Sequence, residues 1–146
     1  MNLKRTIRAL NDLLAIEYRS LPMYLTDATP WTHPGDEKAT QTLEHIVVDQ
    51  RETCRRVAEM ILARGGGSID VGEFPMEFTD THFLSLDFLL TELVTYQKVI
   101  VGRIERLVAE LTDDRPAREL AQDALGSERQ HLEALEELVR QPVQPA

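Results

Sequence analysis

From Leu3 onward, apolar residues fall at Leu3, Ile7, Leu10, Leu14, Leu21 and Tyr24, steps that keep them on one side of a helix. The pattern predicts a first helix over Asn2 to Leu25, closed by a turn-rich stretch from Thr26 to Gly35 with Pro30 and Pro34 inside it. Asp36 is a candidate cap for a second helix with Glu37 in its first turn. Its stripe is Leu43, Ile46, Val47, Cys54, Val57 and Ile61, and it stops at Arg64 before three glycines. Asp80 or Thr81 is placed to cap a third helix, whose stripe of Leu86, Leu89, Leu93, Tyr96, Ile100, Ile104, Leu107 and Leu111 lasts to Thr112-Asp113-Asp114. Asp114 caps a fourth, with Pro116 in the first turn. That helix buries Leu120, Ala121, Ala124, Leu135 and Leu138 and ends near Arg140.

Four amphipathic helices of about 24 to 30 residues are about 36 to 45 Å long and make an all-α four-helix bundle. The first and second helices suit antiparallel neighbours, as do the third and fourth. Gly65 to Asp80 carries Ile69, Val71, Phe74, Met76 and Phe78 among its glycines, so it reads as a connection that packs against the bundle. At about 3.3 Å per residue it spans up to about 53 Å, long enough to climb the whole bundle and make the second and third helices parallel. The 146 residues form a single domain.

The polar residues that interrupt the stripes carry the chemistry. Glu17 is the one charged member of the series 3, 7, 10, 14, 17, 21, 24 in the first helix. In the last helix the series 117, 121, 124, 128, 131, 135, 138 reads Ala, Ala, Ala, Glu128, His131, Leu, Leu. Glu92 lies on an inward series with Leu89 and Tyr96, although Leu93 offers a competing register. Buried carboxylates are costly unless protons or a cation compensate. A Glu and a His three residues apart on a helix point the same way and can hold one cation through oxygen and imidazole nitrogen. The same residues are also compatible with a core histidine hydrogen-bonded to its neighbours.

These residues resemble the ferritin-like superfamily, specifically ferritins and bacterioferritins, over nearly the whole chain. The segment Leu10 to Glu17 followed by Tyr24 is similar to the family's first ligand helix, and Arg64-Gly65-Gly66 to the end of its second. Glu92 with Tyr96, and Ser127-Glu128-Arg129-Gln130-His131, resemble the third and fourth. The resemblance implies the ferritin-like bundle with a long crossover between its second and third helices. It also implies a di-iron site with one Glu from each of two helices and a Glu-x-x-His from each of the other two. The second helix departs from that pattern, because aligning it on Arg64-Gly65-Gly66 puts Gln50 and Thr53 where the second Glu-x-x-His belongs. The expectation is therefore a reduced, mononuclear site: Glu92, Glu128 and His131 with Glu17 hold one divalent iron, manganese or zinc ion, and ferroxidase activity is weak or absent. Two alternatives stay open. One is a metal-free polar core in a structural or interaction protein; the other is a di-iron oxidase that recruits Asp49 or His45. No haem is expected, since the bacterioferritin ligand position falls on Arg51. A homodimer is expected rather than a 24-subunit cage, because the sequence ends six residues after Arg140.

Charge narrows the classes further. A net charge of −9 repels phosphate backbones, so no nucleic-acid partner is expected. No apolar run approaches the length of a membrane span and no signal peptide is evident, which makes the expected location cytoplasmic. Cys54, the single cysteine, reads as a small core residue. Trp31 and His33 lie in a loop, either as a lid on the bundle end or as part of a ligand site. No phosphate-binding loop, dinucleotide fingerprint or nucleophile elbow is present.

Overall fold

Proline at position 22 divides the first predicted helix in two. In the computed structural model, which describes residues 3–28, 32, 35–66, 69, 73–76, 78 and 85–140, α1 spans Leu3–Tyr18 and α2 spans Leu21–Ala28. Pro22 lacks the N–H that would continue the helical ladder. Ser20 supplies the new start: its Oγ accepts from the Met23 N–H at 3.2 Å, the geometry of an N-cap.

The remaining helices are α3 at Glu37–Ala63, α4 at Leu86–Glu110 and α5 at Arg115–Arg140. Asp36 stands at the start of α3 without a capping hydrogen bond from its side chain. At the other end Gly66 N–H donates to Ile61 O at 2.9 Å and Gly65 N–H to Leu62 O at 3.0 Å, the paired bonds of a Schellman motif. Gly65 adopts φ 78° there, and a Cβ on Gly66 would stand 2.5 Å from Ile61 Cγ2. The cap of α4 is Ser85, whose Oγ accepts from Phe88 N–H at 3.4 Å; the expected caps Asp80 and Thr81 lie outside the described residues, as do Trp31 and His33. Asp114 does cap α5, its Oδ1 accepting from the Ala117 N–H at 3.0 Å. Arg64, at the end of α3, closes on the same carboxylate through Nε and Nη2 at 2.6 and 2.8 Å.

Two apolar clusters fix the directions of the helices. One joins Leu10 and Leu13 of α1 to Val57 and Ile61 late in α3, Ile104 and Leu107 late in α4, and Leu120 early in α5. The other joins Leu21 and Leu25 of α2 to Ile46 early in α3, Leu86 and Leu89 early in α4, and Leu135 late in α5. Helices α3 and α4 therefore run parallel, with α1 and α5 opposed to them. The end of α3 and the start of α4 therefore lie at opposite ends of the bundle, a separation the intervening residues are numerous enough to span. Phe74 and Phe78 among them are packed against Tyr24, with ring centroids 5.3 and 5.6 Å apart, and Phe78 also meets Tyr96 at 5.1 Å. Among the described residues no helix is long and apolar enough to cross a membrane.

Candidate functional site

Between the two apolar clusters each long helix contributes a fully buried polar side chain. Glu17 comes from α1, Gln50 from α3, Gln97 from α4 and Glu128 from α5, none more than 1% exposed. Thr53 and His131, one turn beyond Gln50 and Glu128, are buried as well. Three of the four expected ligands thus occupy buried centre positions. Glu92 does not: it is exposed on α4. The competing register prevails there because Leu86, Leu89, Leu93, Ile100, Ile104 and Leu107 all gain burial together. That face brings Gln97 inward, a residue the sequence reading missed. Its signal was present, since Gln97 is the one polar member of the series 86, 89, 93, 97, 100, 104, 107.

Glu128 is the hub. Gln97 Nε2 donates to its Oε2 at 2.7 Å and to its backbone carbonyl at 3.0 Å. Gln50 Nε2 approaches the two carboxylate oxygens at 3.4 and 3.2 Å, and His131 Nδ1 lies 2.8 Å from Oε1. Ser20 Oγ in turn donates to Gln50 Oε1 at 2.6 Å, so the cap of α2 also orients the amide. The other imidazole nitrogen, Nε2, sits 2.8 Å from Asp49 Oδ2, and Asp49 is 54% exposed. Burial lowers the affinity of His131 for a proton, but the hydrogen bond and charge of Glu128, followed by those of Asp49, outweigh it and raise the net pKa above the ordinary histidine range.

Glu17 differs from Glu128 in having no partner. Both of its carboxylate oxygens are buried without a hydrogen bond, and so is Oε1 of Gln97. Burial first, then the charges of Glu128 and Asp49, hold the Glu17 carboxyl well above the usual carboxylate range. The same surroundings push the Cys54 thiol up to about 12, which leaves it without thiolate character at neutral pH.

The donor set does not fit two metals. A dinuclear centre of this fold takes four carboxylates and two imidazoles from the four helices. Here Gln50 and Gln97 are neutral amides and Thr53 offers a hydroxyl. Asp49 reaches the cluster only through His131, and His45 is exposed. Among the described residues no three His, Cys, Asp or Glu side chains are arranged to hold a metal ion. The orphaned oxygens of Glu17 and Gln97 do suit one cation: they are acceptors facing no donor, and Glu17 is close enough to Glu128 to feel its charge.

Comparison with known proteins agrees with the architecture. The family model described as Ferritin-like domain matches residues 7–142, and the chain belongs to that family. Neither the curated proteins nor the solved structures hold a match to it.

Proposed function

We propose that this chain is a ferritin-like protein with a single-cation centre in place of the two-metal one, and that it lacks robust ferroxidase turnover. The observation that carries the reading is the trio of buried, unpartnered oxygens on Glu17 and Gln97. Glu17, Glu128 and His131 would hold one divalent iron, manganese or zinc ion only after turning from their present positions, which form no metal-holding group, and would then supply carboxylate oxygen and imidazole nitrogen. Such an ion supplies charge compensation and a Lewis-acidic centre. His131 would ligate only as neutral imidazole, giving up its proton and one of its two carboxylate contacts. The chain's own part is to keep the centre dry between two apolar clusters and to orient Glu128 through Gln50 and Gln97.

A second reading is favoured by the saturation of Glu128. In it the centre carries no metal, a protonated Glu17 and an imidazolium at His131 balance the charge, and the bundle serves assembly. Self-association as a dimer fits either reading; Val48 and Leu62 on α3 are 62% and 60% exposed and lie on one side of that helix.

Ferrous-ion oxidation tests the proposal. The protein is expected to leave the rate of Fe(II) oxidation in air near that of buffer alone. A variant combining Gln50→Glu, Thr53→His and Gln97→Glu is expected to gain a second iron and a faster rate. A fast oxidation burst in the unaltered protein would overturn the reading.

A further inference from the structure

A second cluster of charge lies on the opposite side of α1 from Gln50, where α1 and α4 run antiparallel past each other. An open groove of about 310 Å3 is lined there by Arg19 at the end of α1 and by Arg103 and Arg106 one turn apart on α4, over a floor that includes Ile16 and Leu107. We propose that this groove binds a small oxyanion of the phosphate class.

The arginines are poised and uncommitted. Elsewhere in this acidic chain, Arg55, Arg56, Arg64, Arg115, Arg129 and Arg140 are each paired with a carboxylate; Arg8, Arg51 and Arg118 are not, among the described residues, but they stand outside this groove. In the groove, Arg19 uses Nη1 on the backbone carbonyl of Glu73 at 3.0 Å, while its Nε is buried without a partner. Arg106 uses Nε on the Gly102 carbonyl at 3.3 Å. Arg103 makes no hydrogen bond or ion pair with any described residue. Each guanidinium has five N–H donors, so most of this donor capacity is free, and arginine pairs with phosphate through parallel N–H bonds. The backbone bonds of Arg19 and Arg106 hold their guanidiniums in place before a ligand arrives, which reduces the ordering cost of binding.

The groove also selects against long polyanions. Asp12 and Glu110 line it too, neither paired with the arginines among the described residues, so the net excess is a single positive charge. The antiparallel course of α1 and α4 puts the two carboxylates together at the end away from Arg19 and Arg103. A compact oxyanion held at the Arg19 and Arg103 end stays clear of the carboxylates, whereas an extended one reaches them as well. This site is separate from the bundle centre and does not rest on its metal content.

Titration calorimetry of the full chain with inorganic phosphate and with glycerol 3-phosphate tests it. Saturable binding at millimolar or lower concentration is expected, weakened at least about tenfold by Arg103→Gln with Arg106→Gln, as the loss of charge-assisted bonds implies. Asp12→Asn is expected to tighten binding, and Glu17→Gln to leave it unchanged. Tighter binding of inorganic phosphate would identify the free ion, and tighter binding of glycerol 3-phosphate a phosphomonoester. Both arginines are exposed, and circular dichroism of the double variant checks that the bundle is intact. Absence of saturable binding, or equal binding by the double arginine variant, would overturn the proposal.

Discussion

Gln97 Nε2 lies 2.7 Å from Glu128 Oε2, a hydrogen bond between an amide on α4 and a carboxylate on α5 at the level where the family's pattern calls for two carboxylates and a metal. The amide supplies a donor where a carboxylate would repel. This neutral side chain brings no negative charge to the centre, and neither does Gln50 on α3.

That register can be checked at neighbouring positions. Glu92→Ala is expected to change stability by no more than about 0.5 kcal/mol, as an exposed site does, and to leave metal binding untouched. Leu93→Ala, at a fully buried position, is expected to cost about 2 to 5 kcal/mol. Urea denaturation of the two variants makes the comparison, and the opposite ranking would show that Glu92 faces the core.

Ser20 joins the break in the first helix to the polar centre, capping α2 through Met23 N–H and donating to Gln50 Oε1. Ser20→Ala removes both bonds and leaves a buried amide oxygen unsatisfied. A loss of about 1 to 3 kcal/mol is expected, measured by thermal or urea unfolding. Ser20→Thr retains the hydroxyl and is expected to recover part of it.

The end of α3 allows no side chain at Gly66, where an added Cβ meets both Cγ2 and the carbonyl oxygen of Ile61 at 2.5 and 3.0 Å. Gly66→Ala is expected to destabilise the bundle by about 1 to 3 kcal/mol, the usual cost of overpacking. Urea denaturation checks it. Gly126→Ala on α5, where a Cβ meets nothing within 4 Å, is expected to stabilise by up to about 1 kcal/mol.

Much of the fold follows from the stripes, and the places where they mislead have physical causes. The third helix could be turned through either Tyr96 or Gln97 after Leu93, because steps of three and four both stay on one helical face. Only the joint burial of Leu86, Leu89, Leu93, Ile100 and Ile104 decides it, and that choice carries Glu92 outward and Gln97 inward. Glu17 and the pair Glu128 and His131 were legible because they interrupt apolar series, and Gln50 and Thr53 because the resemblance, aligned on Arg64-Gly65-Gly66, puts them at ligand positions. The break at Ser20 was not, since Leu21 and Tyr24 continue the stripe across it; Pro22 held the information. The contact from Asp49 to His131 escapes any stripe, because an exposed residue reaches inward along its side chain.

Acid sensitivity should reside at the other end of the bundle, in Asp114. Hydrogen bonds from Arg64, then from the Ala117 N–H, outweigh burial and hold its carboxyl below the usual range. A lowered folded-state pKa adds stability that is complete above the ordinary carboxylate pKa of the unfolded chain and is lost as pH falls through the folded value. Asp114→Asn is therefore expected to lower stability at neutral pH by about 1 to 3 kcal/mol and to flatten its decline below about pH 4. Unfolding free energies across that range check the sign.

Metal content per chain bears most directly on the single-cation centre. The protein would be loaded anaerobically with Fe(II), freed of excess, and measured by mass spectrometry beside Glu17→Gln and His131→Ala. One metal per chain, lost in both variants, is the predicted result. Two per chain would mean that α3 supplies ligands after all, and none would mean that hydrogen bonds and protons alone hold the centre; either contradicts the account.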